Sequence, residues 1–413
     1  MRQEQTEPRM TIRDNPATRR GGIPRGIARS GPAILSYGFR PFFLGAGIFA
    51  VLAMVLWTGA LTRGWPVGGE TYGALHWHAH EMVFGYAGAT LAGFLLTAIP
   101  NWTGRLPLSG TPLLVLFCLW LAGRIAMLQP ELFGLYPAAL LDAALFPILA
   151  LVAGREIVAG RNWKNLKILI VLVALSLVNV GYHAAALSGG DNHLTVRAGI
   201  AILVVLIGLV GGRMVPSFTR NWLVKQGAER LPHPFDWFDI VAMAALAAAL
   251  AAWLLAPEGM ATAILCALAA VLQGTRLVRW QGYATAREPL LLVLHLAYGF
   301  IPVGVAALGA AALGWVSETA ALHLLTVGGI GLMTLSVMTR ATRGHTGRPL
   351  SASPTTTIAF ATLLAAALLR PLAELVPGAY EPLLALGATA WIAAYTLFIW
   401  EYAPMLLAAR QNT

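Results

Sequence analysis

Histidines are the residues of this 413-residue chain whose types and spacing could do chemistry. There are nine, and three of them stand close together as His76, His78 and His80, directly followed by Glu81. Imidazole is the commonest metal ligand in proteins and suits haem iron, copper and zinc. A neighbouring carboxylate can orient a ligating histidine or carry protons. The triplet therefore predicts a metal or haem site with Glu81 in one of those two roles.

The spacing of the triplet limits which rings can act together. In a regular helix His76 and His80 share a face, because residues four apart are neighbours on the helix surface. His78 and His80 point about 200° apart, so they cannot reach one metal unless the start of the helix is unwound. We expect either two centres, or one centre in which one histidine supports a ligand without binding the metal.

The composition indicates what kind of element carries these residues. Hydrophobic residues make up 58% of the chain and charged residues 11%, whereas soluble proteins carry about 25% charged residues. This excludes a water-soluble enzyme, a disordered regulator and a disulfide-stapled secreted domain. Cys118 and Cys266 both lie in apolar segments, where we expect inert core thiols. No CxxC motif is present to bind zinc or an iron–sulfur cluster.

Twelve apolar segments are each long enough to cross a hydrocarbon core about 30 Å thick as a helix. They cover residues 41–62, 77–100, 112–129, 134–155, 165–187, 195–218, 237–256, 260–279, 289–312, 318–340, 356–376 and 381–404. The predicted fold is an all-α polytopic membrane protein. Residues 1–38 form a basic arm, expected to be disordered and cytoplasmic, without the apolar stretch of a signal peptide. Residues 39–405 form the twelve-helix domain, and residues 406–413 a short cytoplasmic tail.

The basic residues predict the orientation of the helices. The formal net charge is +10, and most Lys and Arg lie in the arm or in loops on the same side. Only Arg63 lies in an opposite loop, while Arg124, Arg197 and Arg370 fall within spans. Since cytoplasmic loops are enriched in Lys and Arg, both termini are predicted to be cytoplasmic. The charge thus points to the lipid bilayer as partner, and no nucleic acid is expected.

A weak repeat links the predicted inner ends of spans 2, 6 and 10. Residues 99–103, 215–220 and 335–340 each end in Thr or Thr-Arg, and the first two contain Pro. This pattern suggests three four-helix units related by a pseudo-threefold axis along the membrane normal. Alternatively, these residue types are simply common at helix ends.

Four histidines are predicted to share the outer third of the bilayer. With a rise of about 1.5 Å per residue, His183 lies roughly 24 Å from Lys167, and His323 lies roughly 24 Å from Thr339. Ionisable groups inside a membrane are costly and tend to be functional. We therefore expect a metal or haem role for the outer group, which comprises His78, His80, His183 and His323, with His76 as a further candidate ligand at the mouth.

For two other histidines the sequence does not separate a cofactor ligand from a structural residue. His295 in span 9 is predicted about 10 Å above the inner edge, and His345 lies in the inner loop formed by residues 344–348. Each is either a cofactor ligand or a structural residue. His193 and His233 are interpreted as loop residues.

Three further features concern protons and charge. Tyr182 next to His183 could donate a proton or only pack. Arg124 and Asp142 lie at similar depth on helices joined by a short loop, which favours a structural ion pair. Arg370 could pair with Glu374 or with a haem propionate.

The motifs together resemble the NnrS family of bacterial membrane proteins, from about residue 35 to the C-terminus. They are Gly38–Phe43, His76–Met82, Gly212–Pro216, Met338–Arg340 and Gly344–Arg348. The resemblance implies about twelve helices in the cytoplasmic (inner) membrane, b-type haem and copper, and a place in nitric oxide metabolism during denitrification and in resistance to nitrosative stress.

The same resemblance assigns some residues. His78 and His80 match the outer motif, and His323 and His345 match the motif of span 10. His183 and His295 are added from depth and residue type. The leading hypothesis is reduction of nitric oxide to nitrous oxide, with protons supplied by Glu81 or Tyr182 and electrons by an unidentified donor. The alternatives are a non-catalytic nitric oxide-binding or protective protein, and a polytopic transporter.

Overall fold

The computed structural model describes residues 31–411. Within this range the chain forms helices and no β-strand. Twelve helices are long and apolar enough to span a membrane, which confirms the predicted all-α polytopic fold. Numbered in chain order, they are α1 Phe39–Arg63, α2 Gly69–Thr103, α3 Thr111–Leu128, α4 Leu135–Ala159, α5 Trp163–Leu187, α6 His193–Lys225, α7 Trp237–Leu255, α8 Met260–Val278, α9 Pro289–Ala312, α10 Glu318–His345, α11 Pro354–Leu375 and α12 Pro377–Leu407.

Three helix ends differ clearly from the prediction. Helix α2 begins at Gly69, because its first turns contain polar residues that apolar patterning does not detect, and Gly73 with φ 68° interrupts the regular helix there. Helix α6 continues to Lys225 and α10 to His345. Backbone hydrogen bonds extend a helix past the apolar segment, so His345 ends a helix and does not lie in a loop.

At the N-terminus the described residues begin shortly before α1. Residues 1–30, which include most of the predicted arm, lie outside the described residues, and a short 3₁₀ turn at Ala33–Leu35 precedes α1. Helix α12 includes the first two residues of the predicted tail. The orientation and the pseudo-threefold axis stay predictions, and "outer" and "inner" below refer to the predicted orientation.

Helix α2 is the central helix of the bundle. Within its most apolar window 83% of the residues are buried, against 61% in α9 and α10 and less in the other spans. Small residues let neighbours approach closely: a Cβ added at Gly93 would lie 2.8 Å from the Phe43 ring, and one at Gly88 would lie 2.9 Å from Phe146. The histidine triplet therefore lies on the most enclosed helix.

Two spans contain π-helical segments, a rare conformation that is frequent at functional sites. In α2 the segment is Glu81–Tyr86, and in α10 it is Leu324–Gly331. Each begins directly after a histidine, His80 in α2 and His323 in α10. The described residues of α6 contain no such segment, so the resemblance between spans 2 and 10 does not extend to span 6 in this respect.

The two cysteines differ in environment. Cys266 is buried, as expected, but Cys118 is exposed on α3. The prediction of a core thiol at Cys118 is therefore wrong. Lipid-facing and core positions are equally apolar in a membrane protein, so hydropathy does not distinguish them.

Candidate functional site

His78 and His80 lie in different surroundings on α2. His80 is completely buried and faces α4 and α5, where it meets Asp142 and His183. His78 faces a cavity that His323 of α10 also lines. The four histidines of the predicted outer group therefore form two pairs, one on each side of α2. His78 and His80 thus lie apart, as the alternative with two centres requires.

The first centre is a carboxylate–imidazole cluster, made of His80, Glu81, Arg124, Asp142 and His183. Nε2 of His80 lies 3.0 Å from Oδ2 of Asp142, and Nε2 of His183 lies 2.8 Å from the same oxygen. One ligand atom from each of these three residues lies within 4.8 Å of the others. Two imidazoles and a carboxylate that converge in this way could hold a metal ion.

The opposite nitrogen of each imidazole in the cluster is anchored. Nδ1 of His80 lies 3.0 Å from Oε1 of Glu81, and Nδ1 of His183 lies 2.8 Å from the hydroxyl of Tyr72. Such contacts on the far nitrogen fix the tautomer and the orientation of a ligating ring. Glu81 thus orients His80, which is one of the two roles predicted for it.

The charges of the cluster do not balance. Nη1 of Arg124 donates to Oε2 of Glu81 at 2.7 Å, and Nη2 pairs with Oδ1 of Asp142. The ion pair predicted between Arg124 and Asp142 is therefore present, with Glu81 as a third member. With both imidazoles neutral, two carboxylates face one guanidinium in a fully buried place. Uncompensated charge there is expensive, so the cluster requires one further positive charge, from a proton or a metal ion.

The second centre is the outer cavity, of about 320 Å³, between α1, α2, α6, α10, α11 and α12. The ring of His78 stacks on Trp57 with centroids 4.5 Å apart and planes 12° apart. Its Nδ1 is buried and has no hydrogen-bond partner among the described residues. Stacking holds the imidazole in place, and a bound ligand would explain the buried nitrogen without a protein partner.

His323 lines the same cavity. Nδ1 lies 2.7 Å from the carbonyl oxygen of Thr319. Because a carbonyl only accepts hydrogen bonds, Nδ1 carries the proton and donates it. The neutral ring then has an unprotonated Nε2, which is the form that binds a metal.

The rim of the outer cavity is polar and its walls are apolar. Arg197 pairs with Glu318 at 2.5 Å, and Arg370 pairs with Glu374 at 2.9 Å, which is one of the two partners predicted for Arg370. His76 also lines this cavity. His76 and His78 thus line the outer cavity, whereas His80 lies in the cluster.

The outer cavity fits haem in its chemistry. A haem is a flat apolar macrocycle with two carboxylate arms and an iron that takes imidazole ligands. Available nitrogens of His78 and His323 could bind the iron, and Arg197 and Arg370 could hold the carboxylates.

Tyr182 packs against the cluster and does not point into the cavity. Its ring centroid lies 4.6 Å from that of His80, and its hydroxyl donates to the backbone carbonyl of His76 at 2.9 Å. The packing alternative for Tyr182 is thus the one that the contacts favour.

His295 and His345 lie in neither centre. Nδ1 of His295 contacts the Leu291 carbonyl at 3.0 Å, and its Nε2 lies 3.2 Å from Oγ1 of Thr219. The ring of His345 packs on Tyr37, with centroids 5.6 Å apart, at the inner end of α10. The structure therefore does not bring these two predicted ligands to the outer histidines.

Several residues of the two centres are not predicted by the sequence. They are Trp57, Tyr72, Asn179 and Arg197. Asn179 donates to Oδ2 of Asp142 at 3.0 Å and lies 2.9 Å from Nε2 of His80. The sequence carries a signal for two of them: Asn179 is a polar residue one helical turn before His183 on the same face, and Arg197 is a charged residue within a span.

The comparisons with known proteins agree with the motifs. The family model described as NnrS protein matches residues 33–410, nearly the whole chain and both centres. No curated protein matches the chain. The chain belongs to the NnrS family.

Proposed function

We propose that the protein is a haem- and copper-containing protein of the bacterial inner membrane that takes up nitric oxide in the outer cavity and reduces it to nitrous oxide. Family membership supports the link to nitric oxide and to haem and copper. The observation that carries the proposal is the placement of His78 and His323. They come from separate helices, line one cavity, and each has a ring nitrogen that no described protein group occupies.

The outer cavity would hold the haem. His78 and His323 are the candidate iron ligands, and Arg197 and Arg370 are the candidate partners of the carboxylate arms, since Arg binds carboxylates through paired N–H donors. Haem supplies an iron centre that binds nitric oxide. The stacked Trp57 keeps the imidazole of His78 from turning away.

The carboxylate–imidazole cluster would hold the copper. Nε2 of His80, Nε2 of His183 and Oδ2 of Asp142 converge, and imidazole is a good ligand for copper. A monovalent copper ion would supply the one positive charge that the cluster requires. In its absence a proton would do the same.

The overall reaction needs electrons and protons from outside the site. Two nitric oxide molecules, two electrons and two protons give one nitrous oxide and one water. The electrons would come from a separate reduced electron donor. The protein itself would bind the gas in the apolar outer cavity. On the other side of α2, the carboxylate–imidazole cluster would hold a proton or a metal ion.

The test is an optical and metal analysis of the purified full-length protein. His78→Ala and His323→Ala should lose the haem Soret band and keep copper. His80→Ala and His183→Ala should lose copper and keep the Soret band. The exposed His233→Ala serves as the control and should keep both. Reduced wild-type protein should form one nitrous oxide for every two nitric oxide molecules consumed. A colourless, metal-free preparation that moves a solute would instead identify a transporter.

A second candidate function is nitric oxide binding without turnover. It is favoured by the positions of the two predicted proton donors. Both carboxylate oxygens of Glu81 are engaged by His80 and Arg124, and the hydroxyl of Tyr182 is bound to a backbone carbonyl. Neither residue presents a proton to the outer cavity. Tight nitric oxide binding by fully metallated, reduced protein with no nitrous oxide formed would select this function.

A further inference from the structure

A second cavity of about 100 Å³ lies deeper in the bundle, between α2, α6, α9 and α10. We call it the inner cavity. Its walls are almost entirely aliphatic, aromatic and methionine side chains. They include Leu91, Phe94, Ile207, Met214, Phe218 and Met333.

The inner cavity offers water few partners. Its two polar side chains are Thr90 and Thr334. The Thr90 hydroxyl is directed to the Tyr86 carbonyl at 3.3 Å, and that of Thr334 donates to the Ile330 carbonyl at 2.8 Å. A buried water needs two to four hydrogen-bonding partners, while apolar cavities stay dry and admit apolar guests such as xenon. We therefore expect a dry cavity.

A single layer of side chains separates the two cavities. Leu203 and Ile330 line both of them. Tyr86 lines the outer cavity, and its hydroxyl lies 2.5 Å from Oγ1 of Thr334, which lines the inner one. Leu203 and Ile330 are buried, so a small molecule that passes between the cavities crosses this one layer by displacing their side chains.

The inner cavity opens towards the lipid. Phe94, Ile207, Val210 and Met214 are only half-buried although they lie inside membrane-spanning helices. Val210 is roughly 26 Å along α6 from its outer end. Exposure at that depth means contact with hydrocarbon, on the opposite half of the bilayer from the rim of the outer cavity.

We propose that the inner cavity binds a small apolar gas and passes it from the bilayer to the outer cavity. The identification of that gas as nitric oxide rests on the proposed function. A neutral diatomic gas dissolves in hydrocarbon, and the inner cavity is an apolar binding site between the hydrocarbon and His78. A charged or strongly hydrated substrate would not use this route.

Gly211 allows a clean test, because it lines the inner cavity and has space beside it. A Cβ added there meets its nearest atom, in Ile207, only at 3.7 Å. Gly211→Ala should leave the cavity open, and Gly211→Ile should fill it. Val210→Phe is a second filling variant, at the lipid opening.

The first measurement is xenon binding to the full-length protein, followed by a structure under xenon pressure. We expect xenon in the inner cavity of the wild type and of Gly211→Ala, and none in Gly211→Ile. Ordered water or an empty inner cavity in the wild type would overturn the proposal. This measurement needs neither haem nor nitric oxide, so it stands even if the proposed function fails.

The second measurement is the rate at which nitric oxide rebinds the haem protein after flash photolysis. We expect a several-fold slower bimolecular phase in Gly211→Ile and Val210→Phe, and an unchanged rate in Gly211→Ala. Rates that are equal in all four proteins would overturn the delivery route. A protein that lacks haem but binds xenon would refute the proposed function and leave the gas site in place.

Discussion

His78 and His80 are two positions apart on α2 but belong to different centres. Nε2 of His80 lies 3.0 Å from Asp142 in a fully buried cluster, whereas the ring of His78 stacks on Trp57 beside the outer cavity. One helix thus carries a candidate ligand for each of two candidate sites and fixes the distance between them. A change in either centre can therefore be measured while the other serves as an internal reference.

The first prediction concerns Asp142. Asp142→Asn removes one negative charge and an oxygen on which both imidazoles converge, so the cluster no longer needs a cation. We expect copper content to fall to background while the Soret band is retained, as measured by metal analysis and optical spectra. Glu374→Gln is the matched control, since it changes a carboxylate that pairs with an arginine of the outer cavity. Equal copper in Asp142→Asn and in the wild type would contradict the assignment.

The second prediction concerns Arg124. Arg124→Leu leaves the carboxylates of Glu81 and Asp142 buried without their counter-charge. Breaking a buried ion pair in this way typically costs about 3–5 kcal/mol, so thermal unfolding in detergent should shift strongly to lower temperature. Adding Asp142→Asn to this variant should recover part of the loss, because one of the two stranded charges is removed. If the double variant is less stable than Arg124→Leu, the carboxylates of Glu81 and Asp142 are not both in need of the charge of Arg124.

The third prediction concerns the stacked indole. Trp57→Leu removes the ring that holds His78, so the imidazole gains rotational freedom. We expect haem to be retained at a lower affinity and its Soret band to shift, while Trp57→Phe stays close to the wild type. Haem titration and optical spectra measure both effects. Copper content is the control and should not change, because Trp57 does not contact the cluster.

The fourth prediction concerns pH and the loop before α7. The hydrogen bond from Arg279 lowers the pKa of Asp236 below the ordinary value of 3.8, although the carboxylate is only half-buried. A lowered pKa in the folded state stabilises the protein above the unfolded value, and this contribution is lost as pH falls through the folded value. Asp236 also caps α7 by accepting from the Phe238 N–H at 3.0 Å.

Asp236→Asn should therefore lower the unfolding temperature modestly at neutral pH, and the difference from the wild type should shrink in acid well below pH 3.8. Thermal unfolding at several pH values checks this. The exposed Asp191→Asn is the control. If the difference in unfolding temperature between Asp236→Asn and the wild type instead grows as the pH falls, Asp236 does not stabilise the folded protein in its ionised form.

The sequence by itself determines the architecture of this protein. Bilayer thickness dictates the length of each apolar segment, and this is why twelve spans and most of their ends are predicted correctly. Helical geometry also determines that His78 and His80 point apart, because the angle per residue is a local property. Family membership likewise follows from motifs along the chain.

Only the tertiary structure decides which residues meet. Tyr72 contacts His183 across 111 positions of sequence, and Arg124 joins Glu81 to Asp142 from three different helices. Hydropathy does not determine such neighbours, because lipid tails are as apolar as a protein core and give no preference for one packing of helices over another. Close packing and the pairing of buried charges determine how the helices pack. They place His80 with His183 on one side of α2 and His78 with His323 on the other.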